Sequence, residues 1–319
     1  MSTELLDQKS ASLASLAFRR LRRDKGAMFA LGVVSIFVLL AIFAPLFTLI
    51  THQDPYTLNS DAIDLENSGF PKGAWGGISS EHWFGVEPGT GRDLFMRFVY
   101  GARTSLSISF SATVLTITFG TIIGLIAGYF GGWAERIISR VIDFMLSFPS
   151  LLFIIAVTPV LENSLSRFGI EQSSELRIII IICVLSFFGW TFSARLVRGQ
   201  VLSLKEREFI DAARIAGASK WHIIFKEILP SLSGPLLVSA SLALPGYVTA
   251  EAALSYLNVG VLPPTADWGA TVLRSASYYQ VLPTYMAIPG LALLLLVLSF
   301  NLFGDGVRDA FDPKSKVNT

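Results

Sequence analysis

Six apolar runs free of acidic and basic side chains divide the chain. They lie between Lys25 and His52, Arg103 and Glu135, Asp143 and Glu162, Arg177 and Arg195, Glu227 and Glu251, and Arg274 and Asp305. A helix needs about 20 apolar residues to cross a bilayer, so the pattern predicts six membrane-spanning helices, the fourth of them short. An even number returns the chain to the side on which it began. Two polar stretches between the runs are long, one from His52 to Arg103 and one from Arg195 to Pro230. The first apolar run is too long for the core of a secretory signal and lacks a small-residue cleavage site. It is expected to stay as an anchor.

Composition agrees with a bilayer protein. Charged residues make up 15% of the 319, against about 25% in an ordinary soluble domain, and mean hydropathy is +0.57. The expected fold class is therefore an all-α polytopic membrane protein. Basic residues orient it. Of the 25 Lys and Arg, 18 fall on the side of the termini and seven on the other, which places both termini in the cytoplasm. The layout is a cytoplasmic segment 1–25, a first transmembrane helix 26–51, an extracytoplasmic segment 52–103, a five-helix core 104–306 and a cytoplasmic tail 307–319. The single cysteine, Cys183, lies in an apolar run and builds no disulfide framework.

Small residues and prolines mark the spans. Gly120, Gly124 and Gly128 recur every fourth residue and give one helix face on which another helix packs closely. That partner is either a helix of the same bundle or a second protein. Pro149, Pro159, Pro245 and Pro289 lie in or near spans, where each removes a backbone donor and bends the helix.

The inner loop carries the sharpest pattern. Ser203 followed by Glu206 has capping-box spacing and opens a helix. Phe209, Ala212, Ala213 and Ala216 then recur on one small apolar face, and Gly217 is placed to end the helix. Ser219 caps a second helix, Lys220 to Leu229, that leads through Pro230 into the fifth span. A basic amphipathic helix lying on lipid headgroups is the competing reading, but alanine buries little area in a bilayer. A thin alanine face suits being gripped by another protein, and movement of that partner would swing the fifth span.

The pattern Asp211-Ala212-Ala213, Gly217 and Leu229-Pro230 resembles the EAA loop of ABC-importer permeases, with Asp211 where that family usually has Glu. Gly91 to Asp93, Tyr100 to Arg103, Ala127 to Gly132, Phe148 to Ser150, Arg195 to Gly199, Glu251 to Leu254, Pro263-Pro264, Trp268-Gly269 and Asn301 to Gly306 are similar, in order and spacing, to the second permease of dipeptide and oligopeptide importers. The resemblance implies a type I importer permease fold in a prokaryotic cell membrane, with a cytoplasmic coupling helix in the loop 203–230. It implies that Glu208, Asp211, Ala212, Ala213, Gly217 and Ala218 dock an ATPase subunit. The implied partners are a related second permease in a heterodimer, two cytoplasmic ATPases, an extracytoplasmic binding protein, a peptide substrate and membrane lipid. ATP and magnesium would sit on the ATPases, and nickel complexes, glutathione or another small solute are the alternative cargo. The segment from Asp54 to Ser80 is longer than the resemblance explains.

Catalysis is not expected. The chain has no Gly-x-x-x-x-Gly-Lys-Ser/Thr loop to cradle phosphates, no Gly-x-Ser-x-Gly elbow, and its histidines, His52, His82 and His222, show no metal-ligand spacing. No metal, cofactor or nucleic acid is expected on the chain itself. A secondary transporter, the other class of function, would want an ion-coupling carboxylate in mid-span, and the spans lack one. Two carboxylates at span ends are candidates for the translocation path. Asp143 starts the third span near Arg136 and Arg140, and an ion pair there is preferred to a gating role. Glu251, near the outer end of the fifth, would attract a peptide amino group, cap a helix or pair with Arg274. Arg195 and Arg198 read as anchors that reach the membrane surface.

Overall fold

The computed structural model describes residues 13–66 and 68–312. The N-terminal helix α1 (Leu13–Arg23) is followed by α2 (Lys25–Ile42), whose N-cap Asp24 accepts a hydrogen bond from the Ala27 amide at 3.1 Å. The chain breaks at Phe43 and resumes as α3 (Ala44–Thr51), with proline in its first turn; α2 and α3 together occupy the first expected span. The outer segment that follows contains a two-stranded antiparallel hairpin, β1 (Ile63–Asp64) and β2 (Phe70–Pro71).

Helix α4 (Leu94–Phe130) has 37 residues. At 1.5 Å per residue it is about 55 Å long, well beyond the roughly 30 Å of a hydrocarbon core. It starts at Leu94 rather than near Arg103. Arg97, expected in the outer segment, is a fully buried helical residue. The fourth span departs from expectation in the same way. Helix α7 (Ser174–Leu204) has 31 residues and is not short, because Arg177 lies inside it and is paired with Glu162.

The third span is broken. Helices α5 (Gly132–Ser147) and α6 (Ser150–Arg167) meet at Phe148-Pro149 and are bent by 88°. Phe148 is extended (φ −84°, ψ 139°), the conformation that a following proline imposes. Among the described residues five helices are each long and apolar enough to cross a membrane, and six if the bent pair is one span.

A further correction concerns the inner loop. Ser203 does not open its helix but belongs to the last turn of α7; the loop helix is α8 (Glu208–Ile215). Then come α9 (Lys220–His222), a π-helical turn over Ile223–Ile228, and α10 (Leu229–Ser231), which leads into the span α11 (Ser233–Tyr256). Short α12 (Trp268–Ser275) is capped by Asp267, and α13 (Pro283–Phe311) closes the fold. It runs past the expected core boundary at 306, while the end of the expected tail lies outside the described residues.

The glycine face of α4 packs against α7 of the same chain. A Cβ at Gly120 would lie 2.4 Å from Ser193 Cβ, one at Gly124 2.7 Å from the Ala194 carbonyl oxygen, and one at Gly128 2.7 Å from Val201 Cβ. The contact thus belongs within the bundle. On the other flank of α4, Trp268 is wholly buried with Val34, Phe37, Ala102, Val248 and Leu296. Its indole donates to the Phe98 carbonyl at 2.8 Å, and its ring occupies the place a Cβ on Gly101 would need.

Gly124→Ala is expected to destabilise the folded protein by about 1–3 kcal/mol, the usual cost of overpacking. Gly199→Ala, whose Cβ would enter open space, should be neutral or slightly stabilising because alanine favours helix. Thermal unfolding in detergent measures both.

Candidate functional site

The inner loop is anchored from one side only. Ile210 is fully buried and joins Val197, Val201, Ile223, Ile224 and Ile228 in one apolar cluster, against which Ala213 and Ala218 are half-buried. The π-helical turn, with its wider repeat, brings Ile223, Ile224 and Ile228 together onto this cluster. The expected single face is therefore divided. Ala213 turns inward with Ile210, whereas Phe209, Ala212 and Ala216 face out, joined by Ile215 at 87% exposure.

Gly217 ends α8 at φ +80°, a left-handed conformation that glycine adopts without a Cβ clash. Its amide donates to the Arg214 carbonyl and the Ala218 amide to the Ala213 carbonyl, both at 3.0 Å. Ser219 accepts from the His222 amide at 3.2 Å, as its position predicts. No side chain caps the start of α8. Glu208 and Asp211, both exposed in its first turn, place negative charge where the helix dipole favours it. From Lys220 to Tyr256 the backbone stays helical apart from small irregularities, and α8 reaches it through the short turn over 216–219.

Beside α11 lies a cavity of about 1020 Å³, walled by α4, α5, α6, α7, α11 and α13. Its surface is largely apolar, with Thr116 and Tyr247 inside and Arg308 and Asp312 at one end. Neither expected path carboxylate lines it. Asp143 pairs with Arg195 of α7 at 2.6 Å, rather than with Arg136 or Arg140. Both partners are more than half exposed, so the pair contributes little. Arg198, likewise more than a surface anchor, meets Ser139 and Glu135 of α5.

Glu251 is fully buried and accepts from Ser255 Oγ at 3.2 Å. Arg274 is not its partner but that of Glu87; Glu251 Oε2 and Oδ2 of the neighbouring Asp267 are both buried with no hydrogen-bond partner among the described residues. Burial pushes the Asp267 carboxyl up. Asp267 accepts from the Gly269 amide at 2.6 Å, and so caps the start of α12.

Comparison with known proteins places this architecture. Residues 120–317 match the family model of the binding-protein-dependent transport system inner membrane component, and residues 12–68 match that of the N-terminal transmembrane domain of oligopeptide transport permease C. The chain belongs to the binding-protein-dependent transport permeases.

Among relatives of this permease, the dipeptide transport system permease protein of Alkalihalophilus pseudofirmus is 40% identical over 94% of this chain and 90% of its own. The oligopeptide transport system permease protein of Bacillus subtilis is 36% identical over 98% and 93%. A glutathione transport system permease protein of Escherichia coli is 37% identical over 94% and 90%. An inward-facing structure of the MetNI methionine ABC transporter has the same fold, with a TM-score of 0.52 and 20% identity over 69% of this chain and 98% of that one.

Sequence reasoning missed the permease's brace around Glu87. Glu87, 1% exposed, accepts from Arg274 Nε and the Tyr285 hydroxyl at 2.6 Å each and from Thr90 at 2.8 Å. The guanidiniums of Arg92 and Arg97 stand 3.8 Å away. Arg97 also donates to the carbonyls of Pro55 and Pro264, at 3.1 and 3.3 Å. One carboxylate thereby joins the outer segment to α4, α12 and α13. Burial alone would push the Glu87 carboxyl up, but the charges of Arg97 and Arg274 and the hydroxyls of Tyr285 and Thr90 bring it below the usual range. Arg97 and Arg274 were the available signal, since two cations drawn into a buried region demand an anion.

Glu87→Gln leaves these guanidiniums without their counter-charge and should cost about 3–5 kcal/mol. Protease cleavage within residues 54–93 and thermal unfolding report it. Because the folded state lowers the Glu87 pKa, its stabilisation is complete above about 4.3, the ordinary Glu value. It is lost as pH falls below that, so protection of the segment should decline there in the wild type. The Gln variant should lack this component.

Proposed function

We propose that this permease forms one membrane half of an ATP-driven importer and carries peptides handed over by an extracytoplasmic binding protein. A related permease supplies the other half of the pathway. The observation that carries the reading is α8, fastened by Ile210 within and presenting Phe209, Ala212, Ile215 and Ala216 outward. An exposed apolar face beside a well-packed anchor suits a groove on a rigid partner, and family membership supports a cytoplasmic ATPase as that partner. Nucleotide and magnesium belong to the two ATPase subunits, and this chain performs no catalysis of its own.

The basic residues support a cytoplasmic position for this end of the molecule. The chain ends share it: Arg20 of α1 donates to the Asp312 carbonyl at 3.1 Å, and Phe311 packs where a Cβ on Gly234, at the start of α11, would sit. ATP closes the ATPase pair and draws the two coupling helices together, and α10 and α11 follow. ATP drives this change only in so far as it binds the closed state more tightly than the open one. Peptide cargo is supported by the dipeptide and oligopeptide permeases among the relatives. Glutathione, the alternative, is itself a small peptide.

Ile215→Glu tests the docking, because this side chain makes almost no contact within the chain. With the whole complex co-expressed, the variant permease should keep its yield and melting temperature, lose the co-purifying ATPase and show at least tenfold slower uptake. ATPase recovery and uptake equal to wild type would reject the assignment. Ala213→Arg is the poorer probe, since Ala213 faces the Ile210 cluster and its replacement disturbs folding first.

A further inference from the structure

The apolar cavity contains one polar contact that the packing does not explain. The hydroxyls of Thr116 on α4 and Tyr247 on α11 lie 2.7 Å apart, and both side chains line the cavity. Directly beside them, on α7, is Gly189. A Cβ there would lie 1.8 Å from the Tyr247 hydroxyl oxygen and 2.8 Å from Thr116 Oγ. Glycine at this position keeps the space that the two hydroxyls occupy, well inside all three helices.

Hydroxyl bookkeeping distinguishes the pair from its locally satisfied neighbours. Buried Ser109, Thr113, Thr158 and Ser186 each donate to the carbonyl four residues earlier on their own helix, the usual way to satisfy a hydroxyl in a membrane helix. Thr116 does not. Two hydroxyls hold two hydrogens, and their mutual bond uses one. The other has no acceptor among the described residues and is available to the cavity. Whichever hydroxyl donates, the pair offers one O–H donor and free lone pairs side by side.

We propose that Thr116 and Tyr247, seated by Gly189, form a neutral hydrogen-bonding subsite for the backbone amide of a passing peptide. The proposal rests on the peptide-import reading. An amide presents a carbonyl acceptor and an N–H donor together, matching what the pair offers. The charged wall residues, Arg308 and Asp312, belong to the end of α13 and its cap, so an ionic group of the cargo finds no counter-ion at the subsite. Every peptide has a backbone amide whatever its side chains, so this contact holds cargo without selecting among sequences. Pro245 and Gly246 directly precede Tyr247. Proline removes an internal hydrogen bond and glycine weakens the helix, so α11 yields at this point when the coupling helix moves.

The test uses the complete complex in proteoliposomes, with two labelled peptides that differ only in whether the central linkage is an amide or an ester. The binding protein's own preference is common to all variants and cancels when their amide-to-ester uptake ratios are compared. Tyr247→Phe keeps the ring and removes the hydroxyl. It should narrow the ratio by about three- to tenfold, the worth of one net hydrogen bond. Gly189→Ala, which evicts the hydroxyl, should narrow it equally, and each variant is checked for wild-type yield and melting temperature. A ratio unchanged in both variants, with uptake still measurable, overturns the subsite and leaves the cargo reading standing. A wild-type complex that takes up neither peptide overturns the cargo reading, and the subsite with it.

Discussion

Helices α4 and α7 lie against each other with almost nothing between their backbones, and the remaining elements are arranged around that contact. Three glycines spaced by four residues make it possible. In a bilayer the hydrophobic effect does not drive helices together, so close packing must supply the attraction. Once these two helices are fixed, α11 is placed by Val248 and Trp268 on one flank of α4, and the α5–α6 pair is held against α7. The cavity is the space left between α11 and this rigid pair. Of the helices that wall it, α11 continues without a loop into the π-helical turn and α9.

Electrostatics divides the molecule differently from packing. At one end arginines gather around the buried Glu87, and the segment following α3 becomes a brace. At the inner end the pairs Asp143–Arg195 and Asp211–Arg214 are exposed and hold little free energy. The strong ion pairs are thus concentrated at one end of the bundle, and the pairs at the other are weak. Glu251 and Asp267 bring two buried carboxyl groups together between α11 and the start of α12.

The apolar runs, the glycine face on α4, the left-handed stop at Gly217 and the cap at Ser219 were legible in the residue pattern, because each depends on local periodicity or on backbone freedom confined to a few residues. The loop's small apolar residues and its continuation into a span were also legible, since both are local. Span ends were misplaced wherever a charge was taken to mark the membrane surface. Arg97 and Arg177 sit inside helices because partners distant in sequence, Glu87 and Glu162, neutralise them. The bend at Phe148-Pro149 was legible as a proline but not as an angle of 88°, which neighbouring helices set. Which alanine of α8 turned inward, which arginine met Asp143, and that Tyr247 rests on Gly189 were decided only by the tertiary structure. Each depends on the distance between two helices, and that distance is fixed by packing along the whole bundle.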